Sequence, residues 1–219
     1  DAEQAVALAQ RIERAAFDTS PAIRNSDGAS VSVSHGHFVL ANTRDFSGGY
    51  RHSRHTTSCS PIARRGREMQ RDDWYSSNCN PDRLADAQAL GRYAAERALS
   101  RLGARRIATQ RVPVLFEAPL ACGLLGHFVQ AASGGALYRH SSFLVDSLGQ
   151  RLFPEHLDIV EDPFLPGELG SAPFDSEGVA TQRRNVVERG VIEGYFLSTY
   201  SARKLGMRTT GNAGGSHNL

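Results

Sequence analysis

The period of the apolar residues changes at Pro21, and that change limits the fold more than any other feature of this chain. Before it, Ala5, Val6, Leu8, Ala9, Ile12 and Ala16 recur at helical spacing. Pro21 lacks an N–H and disfavours helix in Ser20, so the helix stops over Asp18-Thr19-Ser20-Pro21. After it, Ser30-Val31-Ser32-Val33-Ser34 alternates strictly, and Phe38-Val39-Leu40 resumes the strand pattern. His35-Gly36-His37 reads as a tight turn or bulge between them. Gly48-Gly49, Ser60-Pro61 and Arg65-Gly66 punctuate the rest, which predicts an antiparallel meander of four or five strands over about 23–77. A helix is expected from Pro81-Asp82 to about Leu102, with Gly103 as its stop.

A second unit starts near Arg111. Val112-Pro113-Val114-Leu115-Phe116 reads as a short buried strand. Pro119 suits the first turn of a helix over 120–133, which Gly134-Gly135 ends. A shorter amphipathic segment follows over 137–148. Strands are expected near 157–161 and 191–199, with Gly190 at the turn before Val191-Ile192. The glycine-rich stretch Gly211 to Gly215 reads as poorly ordered. The fold class is α+β: an antiparallel β-meander unit with flanking helices over 1–105, then a mixed α/β unit over 106–219.

Composition narrows the function. With 219 residues, 40% hydrophobic, and a net charge of +2, the chain can bury a core and is not a disordered polyelectrolyte. No apolar run is long enough to span a membrane. The start DAEQAVALAQRIERAA lacks the sections of a signal peptide, and both ends read as cuts through something longer. One lysine, Lys204, stands against 24 arginines, a skew that codon choice in a GC-rich genome produces. The clusters Arg64, Arg65, Arg67, Arg71 and Arg101, Arg105, Arg106, Arg111 are offset by Glu68, Asp72, Asp73 and Glu96, so direct nucleic-acid binding is not expected. Cys59, Cys79 and Cys122 are widely spaced and odd in number, which suits a reducing cytoplasm.

Candidate chemistry is sparse. His35 and His37 would share a strand face, with Cys59 on a neighbour as a conceivable third zinc ligand. Helix 120–133 offers only His127. Ser201-Ala202-Arg203-Lys204 fits S-x-x-K, but the companion S-D-N and K-T-G motifs are missing. No phosphate-binding glycine motif occurs. Asp175-Ser176-Glu177-Gly178, after an extended Ser171-Ala172-Pro173-Phe174, places two acids and a hydroxyl on a loop. Either a surface turn or a functional loop satisfies that pattern.

Several blocks then occur in a telling order: Gly123-Leu124-Leu125-Gly126-His127-Phe128, Ser133-Gly134-Gly135-Ala136-Leu137-Tyr138-Arg139, Ser141-Ser142-Phe143-Leu144 and Asp146-Ser147-Leu148-Gly149. Ala172 to Gly178, Ser198 to Gly206 and Thr210 to Gly215 follow. With this spacing, residues 112–219 resemble the PmbA-type (TldE-type) branch of the TldD/PmbA family. Residues 1–105 resemble its middle domain more loosely, through Thr19-Ser20-Pro21-Ala22-Ile23 and Asn25-Ser26-Asp27-Gly28. The family's N-terminal domain and final segment would lie outside this stretch.

The resemblance implies a subunit of a cytoplasmic metallopeptidase that matures small peptides and degrades unfolded ones. A TldD-type partner would carry zinc on a helical H-E-x-x-x-H. Here Gly126, His127 and Ala131 stand at the positions of the first His, the Glu and the second His. The resemblance therefore implies neither metal nor cofactor in this chain, and zinc on the partner. By the same resemblance, Phe174, Asp175, Ser176, Glu177, Arg203, Gly214, Gly215 and His217 are expected to help hold an extended peptide. One alternative is a non-enzymatic peptide- or partner-binding homodimer, the kind of role behind the older description as a modulator of DNA gyrase. Another is an independent peptidase using His35, His37 or Ser201.

Overall fold

A computed structural model describes residues 1–219, and it is α+β. Close contacts divide the chain into two units. One comprises residues 1–37 and 51–111, the other 38–50 and 112–219.

In the first unit, helix α1 (Ala2–Thr19) starts at Asp1, whose carboxylate accepts from the Glu3 N–H, and ends at an extended Ser20. Strand β1 (Ile23–Ala41) and β2 (Ser47–Arg65) pair as a long hairpin. The short strands β3 (Glu68–Arg71) and β4 (Trp74–Asn78) both pair antiparallel with β2, at different stretches of it. The meander is thus a four-stranded sheet around one long central strand. His35-Gly36-His37 is not a turn. It lies inside β1, and Gly36 gives room to the His52 ring, whose Nε2 would stand 2.3 Å from any added Cβ. The reversal comes at Asn42–Phe46, where Asn42 Oδ1 accepts from Arg44 N and Asp45 takes φ +60°.

The expected helix from Pro81 is two pieces. Asn80 caps a single 3₁₀ turn at Pro81–Arg83. Asp86 then starts helix α2 (Ala87–Ser100) by accepting from Gln88 and Ala89 N–H groups. Two capping side chains give two starts. Leu90, Ala94, Ala95 and Ala98 of α2 are buried with Ile12 and Ala16 of α1 and Ile23, Cys59 and Ala63 of the sheet. Small side chains let the helices approach closely. A Cβ on Gly91 would fall 2.0 Å from the Ile12 carbonyl oxygen.

In the second unit, Val112–Phe116 is neither a paired strand nor buried. Leu115 is 97% exposed. The apolar run signalled a strand with a partner, and nothing in this chain covers it. Helix α3 (Ala118–Ala131) follows, then the single turn and a half of α4 (Gly134–Tyr138) where a longer amphipathic segment was expected. Strand β5 (Ile159–Glu161) pairs with β6 (Arg184–Glu188), which pairs with β7 (Val191–Ile192), all antiparallel. Arg189 and Gly190 both take positive φ, the two-residue turn that matches strand twist. β7 is only two residues long, because the chain then turns away to bring Phe196 beside Ser133. Helix α5 (Thr199–Lys204) completes the elements.

The core of this unit gathers Phe128, Leu137, Leu144, Ile159, Val186, Val187, Ile192, Phe196 and Leu197. Tyr195 is buried among them and its hydroxyl donates to Leu144 O while accepting from Ser147 N. A second apolar group forms where Phe38, Phe46 and Tyr50 of the hairpin tip surround Phe174, with ring centroids 5.9, 5.0 and 5.4 Å away.

Gly91→Ala should therefore destabilise the first unit. The clash is with main chain that cannot rotate away, so a loss of about 3 kcal/mol is expected in urea unfolding. Ala95→Gly, at a buried position without that contact, should cost only about 1 kcal/mol.

Candidate functional site

Helix α3 is apolar, yet Phe128 is its only buried residue. Leu120 and Leu124, one turn apart, are 61% and 52% exposed. Gly123 and Gly126 face open space, and His127 is exposed. Gly126 and Ala131 have no donor atoms, so over residues 123–131 of α3 His127 is the single metal-competent side chain, and Cys122 lies five residues before it, off its face of the helix. One imidazole does not hold zinc, and the residues present do not fit a catalytic zinc at this helix. Elsewhere no three His, Cys, Asp or Glu side chains stand close enough together to hold a metal ion. Cys59 does not approach His35 or His37 as a ligand. It is buried opposite Trp74, and burial first, then the charge of Glu13, pushes its thiol up to about 11.

Ser201 is not poised as a nucleophile. It is buried, and its Oγ and that of Ser198 form a reciprocal cap at the start of α5. Lys204 lies over the Tyr200 ring instead, 5.7 Å from its centroid.

The loop 174–178 and the glycine-rich end come together. Asp175 Oδ1 accepts from the Glu177 and Val179 N–H groups, and its Oδ2 accepts from Ala213 N. Ser176 N donates to Ala213 O. Glu177 Oε2 accepts from Thr199 N, at the first turn of α5. Asp175 is thereby buried and fully engaged by backbone donors, while Ser176 and Glu177 remain exposed. Gly214 and Gly215 take φ +110° and +130°, conformations that favour glycine, and both are exposed. A Cβ on Gly214 would lie 2.7 Å from Ser176 Oγ. The result is a bare main-chain ledge bordered by a hydroxyl.

Of the residues expected to hold a peptide, the structure joins Asp175, Ser176, Glu177, Gly214 and Gly215. Phe174 is turned into the aromatic group at the hairpin tip. Arg203 lies on the exposed side of α5. His217 is tied to Glu161, a residue absent from the sequence reading.

Glu161 is the organising acid of this region, with 1% exposure. Its Oε2 accepts from Arg184 Nε at 2.8 Å. Its Oε1 accepts from Asn212 Nδ2 at 2.7 Å, and from both N and Nδ1 of His217 at 2.9 Å. A carboxylate only accepts, so His217 Nδ1 carries the proton. Arg184 also donates to Asn212 Oδ1, and Asn212 Nδ2 to Gly215 O. Burial works to raise the Glu161 pKa, but the His217, Arg184 and Asn212 donors together outweigh it and hold the group below the usual value of 4.5. Asn218 adds contacts to Asp162 and Ser171, so residues 211–218 are firmly tied rather than loose. No sequence pattern links Glu161 to an arginine 23 positions away. The only available signal was an acid ending an apolar strand, Ile159-Val160-Glu161.

These halves are those of a metallopeptidase fold. Residues 1–102 match the model of the PmbA/TldA metallopeptidase central domain, and residues 109–219 that of the PmbA/TldA metallopeptidase C-terminal domain. The chain belongs to this family. It is similar to metalloprotease PmbA of Escherichia coli O157:H7, with 42% identity over 99% of this chain and 48% of the relative. A PmbA homolog of Haemophilus influenzae is 41% identical over 100% of this chain and 48% of its own length. A solved structure from Bacteroides thetaiotaomicron, named for modulation of DNA gyrase, superposes with TM-score 0.91 at 25% identity, over 97% of this chain and 48% of the other. TldE from Thermococcus kodakarensis shares the fold, with TM-score 0.80 and 18% identity over 100% of this chain and 50% of that one. The chain spans about half the length of the relatives it matches.

Because the Glu161 pKa is depressed by folding, its stabilisation is present above pH 4.5 and is lost as pH falls through the lower folded value. Urea unfolding across that window should show a fall in stability that is smaller in Glu161→Gln. At neutral pH the same variant should lose about 3–5 kcal/mol, since the Arg184 charge is left without its partner.

Proposed function

We propose that this chain is a PmbA-type subunit of a two-subunit cytoplasmic metallopeptidase, and that a TldD-type partner supplies the zinc and the base. The carrying observation is the donor set of α3: glycine and alanine stand where a zinc-binding helix of this family needs two histidines. Family membership makes peptide-bond hydrolysis the expected reaction of the assembly, and Ser201, the nucleophile that the sequence suggested, is buried in the cap of α5.

What the chain contributes is surface. The exposed apolar residues Val114, Leu115, Leu120 and Leu124 suit burial against another polypeptide. The ledge at Gly214–Gly215 lets an extended peptide approach main chain to main chain, with Ser176 and Glu177 available to its polar groups. Asp175 and the Glu161 group hold that ledge in place rather than touching substrate. Unpaired thiols, with Cys122 exposed, fit a reducing compartment.

Co-expression with a TldD-type subunit, followed by zinc analysis and a peptidase assay of each component, tests the reading. Zinc should follow the partner, this chain alone should not hydrolyse peptides, and the mixture should. Leu120→Glu combined with Leu124→Glu should abolish co-purification while leaving the unfolding midpoint of this chain unchanged. Stoichiometric zinc and turnover by this chain alone would overturn the proposal, as would a stable homodimer that ignores the partner.

A further inference from the structure

In the second unit Arg183 pairs with Asp162, Arg184 with Glu161, and Arg151 and Arg189 with Glu155. Arg139, Arg203 and Lys204, the single lysine of the chain, form no such pair, and all three are exposed. They stand on α4 and α5, with Arg139 closing α4. The two helices meet at Gly134, where an added Cβ would fall 2.2 Å from Ser201 Oγ. Tyr200, Arg203 and Lys204 are spaced three and four residues apart, so they share one face of α5, while Ser201 and Ala202 are buried. Two tyrosine rings tie these cations together. Tyr138 and Tyr200 meet edge to face, with centroids 5.8 Å apart and planes at 82°. Arg139 Cζ lies 5.2 Å from the Tyr138 centroid, and its Nη1 donates to the Tyr138 hydroxyl at 3.1 Å. Both Nη atoms also lie back over Gly135, 3.5 Å from where a Cβ would stand. Lys204 Nζ lies 5.7 Å from the Tyr200 centroid.

A ring under a cation orients it without neutralising it, and leaves most N–H donors of the guanidinium free. Glu177 borders α5, but its Oε2 is taken up by Thr199 N. The like charges gathered here therefore find their counter-charge on another molecule. We propose that this α4–α5 face docks an acidic, extended polypeptide segment. Arg139 and Arg203 present planar forks that suit carboxylates, and Lys204 adds a compact point charge. The cations are spread over two helices rather than converging on one point, which suits several carboxylates along a chain better than one small anion. Nucleic acid fits less well, since the cations and the edge-to-face contact already occupy ring faces on which bases would stack. The proposal goes beyond the metallopeptidase reading and does not rest on it, because the surface lies wholly in this chain and involves no zinc.

Fluorescence anisotropy of a dye-labelled hexaglutamate peptide, titrated with the full chain at low salt, tests it. Saturable binding that weakens as salt rises is expected. Arg139→Glu and Lys204→Glu should each weaken it by about tenfold or more. Tyr200→Leu removes the ring under Lys204 and keeps the charge, and should weaken binding by about threefold. Arg51→Glu makes the same charge change at an exposed position of the first unit and should leave the affinity unchanged. All of these side chains are exposed, so the variants should keep the unfolding midpoint of the parent. Equal affinity in the parent and in an Arg139→Glu, Lys204→Glu double variant overturns the surface, as does a loss in Arg51→Glu equal to that in Lys204→Glu. Tighter binding of oligothymidine or of anionic lipid vesicles than of hexaglutamate overturns the choice of partner.

Discussion

A charged group buried at 1% exposure is costly unless several donors meet it, and the Glu161 carboxylate has four donor contacts from three residues. The consequences spread from there. Arg184 fixes the start of β6 to the end of β5, Asn212 and His217 bring in the last residues of the chain, and Asn212 also holds Gly215. Asp175 works beside it on the same principle, with a carboxylate saturated by backbone N–H groups from the segments on either side. Together the two acids convert a glycine-rich stretch with little side-chain packing into a defined surface. Hydrophobic burial alone could not do this, because the stretch has almost nothing apolar to bury.

Much of the fold is readable from local pattern. The helical period before Pro21, the alternation over Ser30–Ser34 and the turn at Gly190 correspond to α1, β1 and the β6–β7 turn. The errors have physical causes. Gly36 suggested a bend, but its role is to make space for a histidine on the neighbouring strand. Val112–Phe116 suggested burial, but apolarity states only that a surface avoids water, not which molecule covers it. Asn80 and Asp86 split one expected helix because each satisfies its own set of N–H groups. The partners of Glu161 lie 23 to 56 positions away, beyond the reach of any periodicity argument.

The site was legible in a different way. Segments 174–178 and 211–215 stood out through resemblance, and the structure brings them into contact. Resemblance did not say what each side chain does. Asp175 and His217 are engaged in holding the backbone, while the exposed main chain and Ser176 are left for other contacts. Gly126 and Ala131 leave α3 firmly seated, since Phe128 and its neighbours Leu125 and Val129 anchor it to the core.

The three thiols differ in a way that makes α3 directly observable. Cys122 is exposed on α3, Cys79 is half-buried, and Cys59 is both enclosed and held protonated. A maleimide fluorophore should consequently label the helix with little competition from Cys59. Its emission would then report, in solution and in real time, when another surface closes over that face.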